Sequence, residues 1–228
     1  MLAPLSSIEV SALLISFKVA LTAVTGILPI AVLFAYVLAR FRFIGHGIIN
    51  GFIHLPLVLP PVVTGYYLLL TFGRQGVVGE TLERCCGIIF VFRWTGAALA
   101  AGIMALPLMV RSIRISMEAI DKQFEHAART LGAGRMRVFF SITLPLSYPG
   151  IVAAAVVGFA KALGEFGATI TFVSNIPGET QTISSAIYAL TQSPNGEPPA
   201  LRLAAISVFI SMVALLLSEI LSRKTKHR

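Results

Sequence analysis

Ionisable side chains inside apolar stretches of this sequence need a partner for their charge. Three of them are Lys18, Lys161 and Glu165. Lys161 and Glu165 are four residues apart, so a helix brings them to one face, and Lys18 lies at a similar depth by residue count. Charges at such depth normally pair or face a water-filled path. We hypothesise that either lysine partners Glu165 in a small network that sets how an outer gate packs. A purely structural ion pair is the alternative.

Three hydroxyl side chains follow Glu165 closely, namely Thr169, Thr171 and Ser174. Neutral hydroxyl donors would suit a path for an oxyanion. Hydroxyls in membrane helices more often bond to their own backbone, however. A role in a translocation path and a role in local backbone bonding therefore both stay open.

The sequence lacks the spacings of enzyme active sites. Its four histidines, His46, His54, His126 and His227, have no metal-ligand spacing, and no Gly-x-Ser-x-Gly elbow occurs. No lysine follows a glycine, which excludes a Walker A loop. We therefore predict no catalytic residue, metal or cofactor in this chain. If ATP drives its function, a partner chain binds the ATP.

Composition places these residues in a membrane protein. Hydrophobic residues make up 56% of the 228 positions and charged residues 12%, with a mean hydropathy of +0.86, whereas soluble domains carry about 25% charged residues. The net charge of +8 fits a membrane protein that collects Lys and Arg on its cytoplasmic side. No basic stripe interleaved with aromatic residues occurs. We predict a chain that is solvated by membrane lipid and binds no nucleic acid.

Five apolar stretches are long enough to span a bilayer, which takes about 20 residues. They cover roughly residues 12–39, 48–72, 94–116, 149–173 and 201–221. The first loop contains Arg40 and Arg42, the fourth has no Lys or Arg, and residues 223–228 are basic. This alternation predicts an outer N-terminus and a cytoplasmic C-terminus. The second loop, which mixes both charges, is its weakest point. We expect an all-α integral membrane protein with a single transmembrane domain, residues 1–228.

Two segments predict departures from straight spans. Pro56, Pro60 and Pro61 remove three amide donors from the second span, so that helix must break or bend. The break is either a packing kink or part of a pore lining. In the fourth loop, a Pro177-Gly178 turn precedes a short, mildly amphipathic helix at about 183–192 that is too short to span. That loop is a candidate lid or docking surface, with a solvated loop as the alternative.

One loop, at about residues 118–148, has a distinctive pattern between the third and fourth spans. Its residues 125–145 read EHAARTLGAGRMRVFFSITLP. The pattern predicts a short helix, a tight turn at Gly132 and a second helix that returns to the membrane at Pro145. Ala127 and Ala128 permit close approach of another surface. Because the predicted topology places this loop in the cytoplasm, we expect it to dock a partner.

This segment resembles the EAA loop of bacterial ABC importer permeases. The family pattern is Glu-Ala-Ala, three residues, Gly, nine residues, and Ile-x-Leu-Pro. Six positions fall in register here: Ala127, Ala128, Gly132, Ile142, Leu144 and Pro145. His126 stands where the family usually has Glu, with Glu125 one place earlier. Residues 54–67 and 164–182 also resemble permease subunits of molybdate ABC transporters, whose near relatives handle sulfate or thiosulfate.

The resemblance implies a type I ABC importer permease fold in the bacterial inner membrane. It implies a homodimer with two copies of a cytoplasmic ABC ATPase and a periplasmic molybdate-binding protein. The loop would relay closure of the ATPase through nine residues: Glu125, His126, Ala127, Ala128, Gly132, Arg135, Ile142, Leu144 and Pro145.

The expected substrate is molybdate, with tungstate as a further candidate and sulfate or thiosulfate as the alternative within the class. A self-contained ion-coupled carrier that uses Lys18, Lys161 and Glu165 is the alternative from another class. The residues also argue separately for a dimer. Five spans cannot form two equal inverted halves within one chain, which favours a path at a symmetric dimer interface.

Overall fold

The computed structural model describes residues 6–226, with side chains through residue 216 except residue 215. The described part of the chain includes a π-helical turn, Phe139–Thr143. The helices are α1 (Ser7–Arg40), α2 (His46–Val58), α3 (Pro61–Phe72), α4 (Val77–Cys86), α5 (Trp94–Glu118), α6 (Lys122–Thr130), α7 (Arg135–Val138), α8 (Leu144–Leu146), α9 (Tyr148–Leu163), α10 (Gly167–Val173), α11 (Ile183–Thr191) and α12 (Glu197–Lys226).

Helix α5 lies at the centre, packed between α1 and α9. Its buried face consists largely of Ala, Gly and Met, and small residues let the helix backbones approach closely. A Cβ atom added at Gly158 of α9 would lie 2.6 Å from the sulfur of Met109, and one at Gly150 would lie 2.2 Å from Cβ of Ser116. These glycines therefore set the spacing of α5 and α9.

The predicted break in the second span is confirmed. The chain bends by 113° between α2 and α3, across Leu59 and Pro60. Together they are long and apolar enough to form one bent span. Three single helices also have spanning length, and residues 135–146 with α9 form a second bent pair. The described part of the chain thus holds up to five candidate spans by length and composition, the number expected from hydropathy.

The prediction of a continuous fourth span at 149–173 is wrong. Helix α9 ends at Leu163 and α10 begins at Gly167, so Glu165 lies in the break. Gly164 and Gly167 flank it, and each glycine costs a helix about 1 kcal/mol relative to alanine. A Glu165 carboxylate oxygen accepts a hydrogen bond from the Ala168 amide at 3.1 Å, which satisfies a free donor of the new helix start.

The loops gather at two opposite ends of the molecule. At one end, Arg40 after the first span contacts Glu125 of the third loop. At the other end, the start of α1 contacts α12 and the fourth loop, and Val91 of the second loop packs with Phe172 and Val173. The grouping agrees with the predicted alternation and assigns the ambiguous second loop to the end that holds the N-terminus of α1. Orientation across the membrane stays a prediction, and the basic residues 223–228 lie outside the described side chains.

Candidate functional site

The predicted helix, turn and helix of the third loop are confirmed. Helix α6 begins after Asp121, whose side chain accepts a hydrogen bond from the Gln123 amide at 2.9 Å. Gly132 has φ +84°, and a Cβ added there would meet nothing within 4 Å. The left-handed backbone, not a lack of space, therefore calls for glycine at this turn.

Glu125 points into the protein and anchors the loop. Its side chain is 8% exposed, and one carboxylate oxygen accepts hydrogen bonds from Arg40 Nε at 2.8 Å and from the Thr143 hydroxyl at 2.9 Å. Since Thr143 belongs to the π-helical turn, Glu125 ties α6 both to α1 and to the return into the membrane. Arg40 and Thr143 were missed as site residues, because Arg40 counted only toward loop charge.

The loop exposes large apolar side chains together with three basic ones, Arg129, Arg135 and Arg137. Leu131 is 89% exposed and Met136 70% exposed. Leu131 also lines a cavity of about 370 Å³, together with Ala128 and Ile142. The exposed predicted residues are His126, Ala127, Gly132, Arg135 and Pro145, and Ala128, Ile142 and Leu144 are half-buried. Contiguous exposed apolar surface marks protein-docking sites, and Leu131 at the edge of this cavity is a candidate part of such a surface.

Of the intramembrane charges, Lys161 is the partner of Glu165. Lys161 Nζ lies 2.6 Å from a Glu165 oxygen, and the glutamate side chain is 2% exposed. Lys18 stands apart: its ammonium lies 3.7 Å from the Trp94 ring centroid, a cation–π contact. The network of all three residues that similar depth suggested is therefore not formed, because depth does not specify which way a side chain faces.

The two threonine hydroxyls after Glu165 bond to backbone in this structure. Thr169 donates to the Phe166 carbonyl at 2.8 Å, and Thr171 donates to the Gly167 carbonyl at 2.9 Å. Ser174 is exposed and has φ +65°, so it ends α10 in the left-handed region. The geometry favours the backbone interpretation for both threonines. A role of the three residues in a path stays a prediction.

The two breaks in the spanning helices lie against each other. A Cβ added at Gly65 of α3 would lie 2.5 Å from the Ala168 carbonyl oxygen, and one at Gly167 would lie 2.7 Å from Pro61 Cβ. Helices α3 and α10 therefore pack backbone to backbone, directly after the interruptions that precede them. Irregular backbone at membrane depth is tolerated only against protein or water, and here each break has the other element as its protein neighbour.

At the opposite end, an acid and an arginine join α1 to α12. Glu9, which is 2% exposed, accepts from Arg202 Nε at 2.9 Å and from Arg202 Nη2 at 2.6 Å. Ser16 accepts from the Ile183 amide at 2.7 Å and so holds the start of α11. The expected short helix in the fourth loop is confirmed as α11. Sequence reasoning missed this cluster, although opposite charges at matching ends of two spans were a usable signal.

Comparisons with known proteins all match membrane components of transport systems. The family model described as binding-protein-dependent transport system inner membrane component matches residues 27–227. The chain is 56% identical over 220 residues to the molybdenum transport system permease protein ModB of Escherichia coli strain K12, which covers 96% of each chain. It is 33% identical over 183 residues to the sulfate transport system permease protein CysT of the same strain, covering 80% of this chain and 65% of that one.

A solved structure has the same fold. It is the crystal structure of a bacterial alginate ABC transporter in complex with an alginate pentasaccharide-bound periplasmic protein. The TM-score is 0.75 with 18% sequence identity, over 96% of this chain and 80% of that one. At this identity the likeness concerns the fold alone.

Proposed function

Because this chain belongs to the family of binding-protein-dependent transport system inner membrane components, we propose that it forms the membrane path of an ATP-driven importer for molybdate. The observation that carries the substrate is the 56% identity over 96% of the chain to a molybdenum permease. The sulfate permease matches at only 33% over 80% of the chain. Sulfate or thiosulfate is therefore the alternative within the class, and tungstate is a second candidate substrate.

The fold is that of a type I ABC importer permease, an all-α integral membrane protein. In the proposed complex, two copies of the chain form the path at their interface in the bacterial inner membrane. Two cytoplasmic ATPases supply the energy, and a periplasmic molybdate-binding protein delivers the anion. The chain itself takes no catalytic part, because its sequence has no Walker A loop.

Coupling to the ATPase is assigned to the loop at 118–148. Support comes from the exposed side chains of Leu131 and Met136 and from the tight turn at Gly132. The loop also exposes Arg129, Arg135 and Arg137. Because Glu125 is bonded to Arg40, a push on α6 reaches the end of α1 directly. His126, which replaces the usual family glutamate, is exposed on the same helix and is available to the partner.

The gate is assigned to the paired breaks of the second and fourth spans. Glu165, which is buried and paired with Lys161, caps the start of α10, and α10 packs on α3 through Gly65 and Gly167. A relative shift of α9 and α10 would therefore carry α3 with it. Lys18 is proposed to line the path separately, from its position over Trp94.

Uptake of labelled molybdate by vesicles that contain the full complex tests the substrate, with unlabelled tungstate and sulfate as competitors. We expect ATP-dependent uptake that tungstate suppresses and that sulfate suppresses only at much higher concentration. Equal suppression by sulfate would favour sulfate as the substrate.

Vesicles containing this chain alone test the carrier alternative, which the Lys161–Glu165 pair motivates. Transport driven by an ion gradient without any ATPase would overturn the ABC reading.

A further inference from the structure

A basic cavity lies at the same end of the molecule as the 118–148 loop. Its volume is about 730 Å³, and the ends of α1, α2, α5 and α6 enclose it together with the turn between α1 and α2. One acid, Glu118, lines it, against four permanently charged bases and one histidine. These basic residues are Arg40, Arg42, Arg114, Lys122 and His46.

The single acid of the cavity is already engaged. Arg114 Nε lies 2.7 Å from Glu118, and a terminal nitrogen of Arg114 lies 3.2 Å from the Asn50 side-chain oxygen. Within the described part of the chain, Arg42 and Lys122 have neither an ion pair nor a side-chain hydrogen bond, and both are exposed. The cavity therefore keeps uncompensated positive charge.

Arg40 adds a buried, half-satisfied guanidinium to the wall. Its side chain is 7% exposed, and Nε donates to Glu125. Both terminal nitrogens are buried and have no acceptor among the described residues. A buried donor that lacks an acceptor is destabilising, and a guanidinium fork fits a carboxylate or phosphate with two parallel hydrogen bonds. Because Arg40 also lines the cavity, these unmet donors add to the positive charge of its wall, which an anion would compensate.

We propose that the cavity binds a phosphate-like tetrahedral oxyanion, and that the natural occupant is the headgroup phosphate of an anionic phospholipid. The surroundings favour a lipid over a free ion. Phe43, Ile44 and Ile48, in and after the same turn, are exposed and offer an apolar surface for acyl chains. Basic pockets between helices at the cytoplasmic surface are typical anionic-lipid sites, and the predicted topology puts this end in the cytoplasm.

The occupant would act on the third loop through Arg40. Both terminal nitrogens of Arg40 are buried as the side chain stands, so an oxyanion would take one only after the guanidinium turns toward the cavity. With Nε kept on Glu125, the oxyanion would then hold the side chain in the position that anchors α6. Lipid in the cavity would then stiffen the connection between α1 and the loop. This effect on coupling rests on the proposed function, whereas binding itself does not.

The test measures ligand binding by the full chain, purified and delipidated in detergent. Phosphatidylglycerol, zwitterionic phosphatidylcholine and inorganic phosphate are added separately. Thermal unfolding and native mass spectrometry then report stabilisation and retained ligand. The variant is R42Q/K122Q, which removes two exposed charges of the cavity and spares Arg40. The matched control is R111Q/R129Q, which removes two exposed basic side chains that do not line it.

We expect phosphatidylglycerol to stabilise the natural chain and the control, and to bind R42Q/K122Q about 30-fold more weakly, since each base near an anionic surface contributes about a five-fold factor. If inorganic phosphate stabilised the chain and phosphatidylglycerol did not, the lipid assignment would be overturned and the ligand would be a free oxyanion. Equal binding to all three proteins, or equal loss in both double variants, would overturn the site.

Discussion

The Arg40 Nε atom lies 2.8 Å from a carboxylate oxygen of Glu125, although 85 residues separate the two in the sequence. Both side chains are more than nine-tenths buried. The contact joins the end of the first span to the first helix of the loop that resembles a coupling loop. The first span is thus in direct contact with the loop that is proposed to bind the ATPase.

Removal of either partner of this pair is expected to destabilise the chain strongly. Arg40→Gln leaves a buried carboxylate and Glu125→Gln leaves a buried guanidinium, and such losses cost about 3–5 kcal/mol. Thermal unfolding in detergent measures the loss, and R40Q/E125Q should lose less than the sum of the single variants. Arg84→Gln, at an exposed pair with Glu80, is the control and should change stability by less than about 1 kcal/mol. Additive losses in the double variant would argue against a direct coupling.

Gly132→Ala is expected to reduce ATP-driven uptake several-fold. The alanine has room, but a left-handed backbone costs it about 1–2 kcal/mol, so the turn should shift and misplace α6. Gly134→Ala is the matched control. It also has open space around its Cβ position, but its φ is −68°. Docking of the periplasmic protein, measured by co-purification, should survive both changes. Equal uptake by both variants would show that the turn geometry is unimportant for coupling.

The Lys161–Glu165 pair predicts an asymmetry between its two neutral variants. Lys161→Met leaves the Glu165 carboxylate, which is 2% exposed, without its cationic partner. Glu165→Gln instead leaves an unpaired lysine that is 29% exposed, and the glutamine oxygen can still accept from the Ala168 amide. Unfolding temperature should therefore fall more for K161M than for E165Q, and K161M/E165Q should recover part of the loss. Uptake should fall in all three variants if the pair fixes a gate. Normal assembly and uptake in E165Q would remove the pair from the mechanism.

Glu9→Gln is expected to loosen the opposite end without disturbing the loop at 118–148. Glutamine cannot match the two charged contacts that Arg202 makes with the carboxylate. The start of α12 and the neighbouring α11 should become more accessible. Limited proteolysis of residues 174–200 measures this opening, and Glu197→Gln, which changes an exposed acid in the same region, is the control. Unchanged cleavage would show that the pair does not hold the outer loop.

Hydropathy and proline placement were enough to predict the number of candidate spans and the bend between α2 and α3, because bilayer thickness and missing amide donors act locally along the chain. The turn at Gly132 was predictable for the same reason. The break around Glu165 was not, since it depends on a side chain capping the next helix. Helix α4 and the π-helical turn were also missed.

Long-range partners were harder to predict from one sequence. Arg40 and Glu125 are adjacent only after the helices pack, and nothing in their spacing records it. Glu9 and Arg202 also meet only after packing, and their opposite charges at matching ends of two spans were the one usable signal. Depth alone suggested that Lys18 could join Glu165, whereas packing turns it toward Trp94. Which face a residue occupies is a property of the assembled helices, and a residue count does not contain it.

The bend between α2 and α3 has a consequence for how the protein is made. The two helices have 13 and 12 residues, about 20 and 18 Å, so neither crosses a hydrocarbon layer of about 30 Å alone. As the ribosome delivers them, they form one largely apolar stretch that the prolines already bend. The protein neighbour of the bend, α10, approaches Pro61 and Gly65 but is synthesised much later. The bend therefore gains this neighbour only after the fourth span has followed, and until then its irregular backbone has no α10 to pack against.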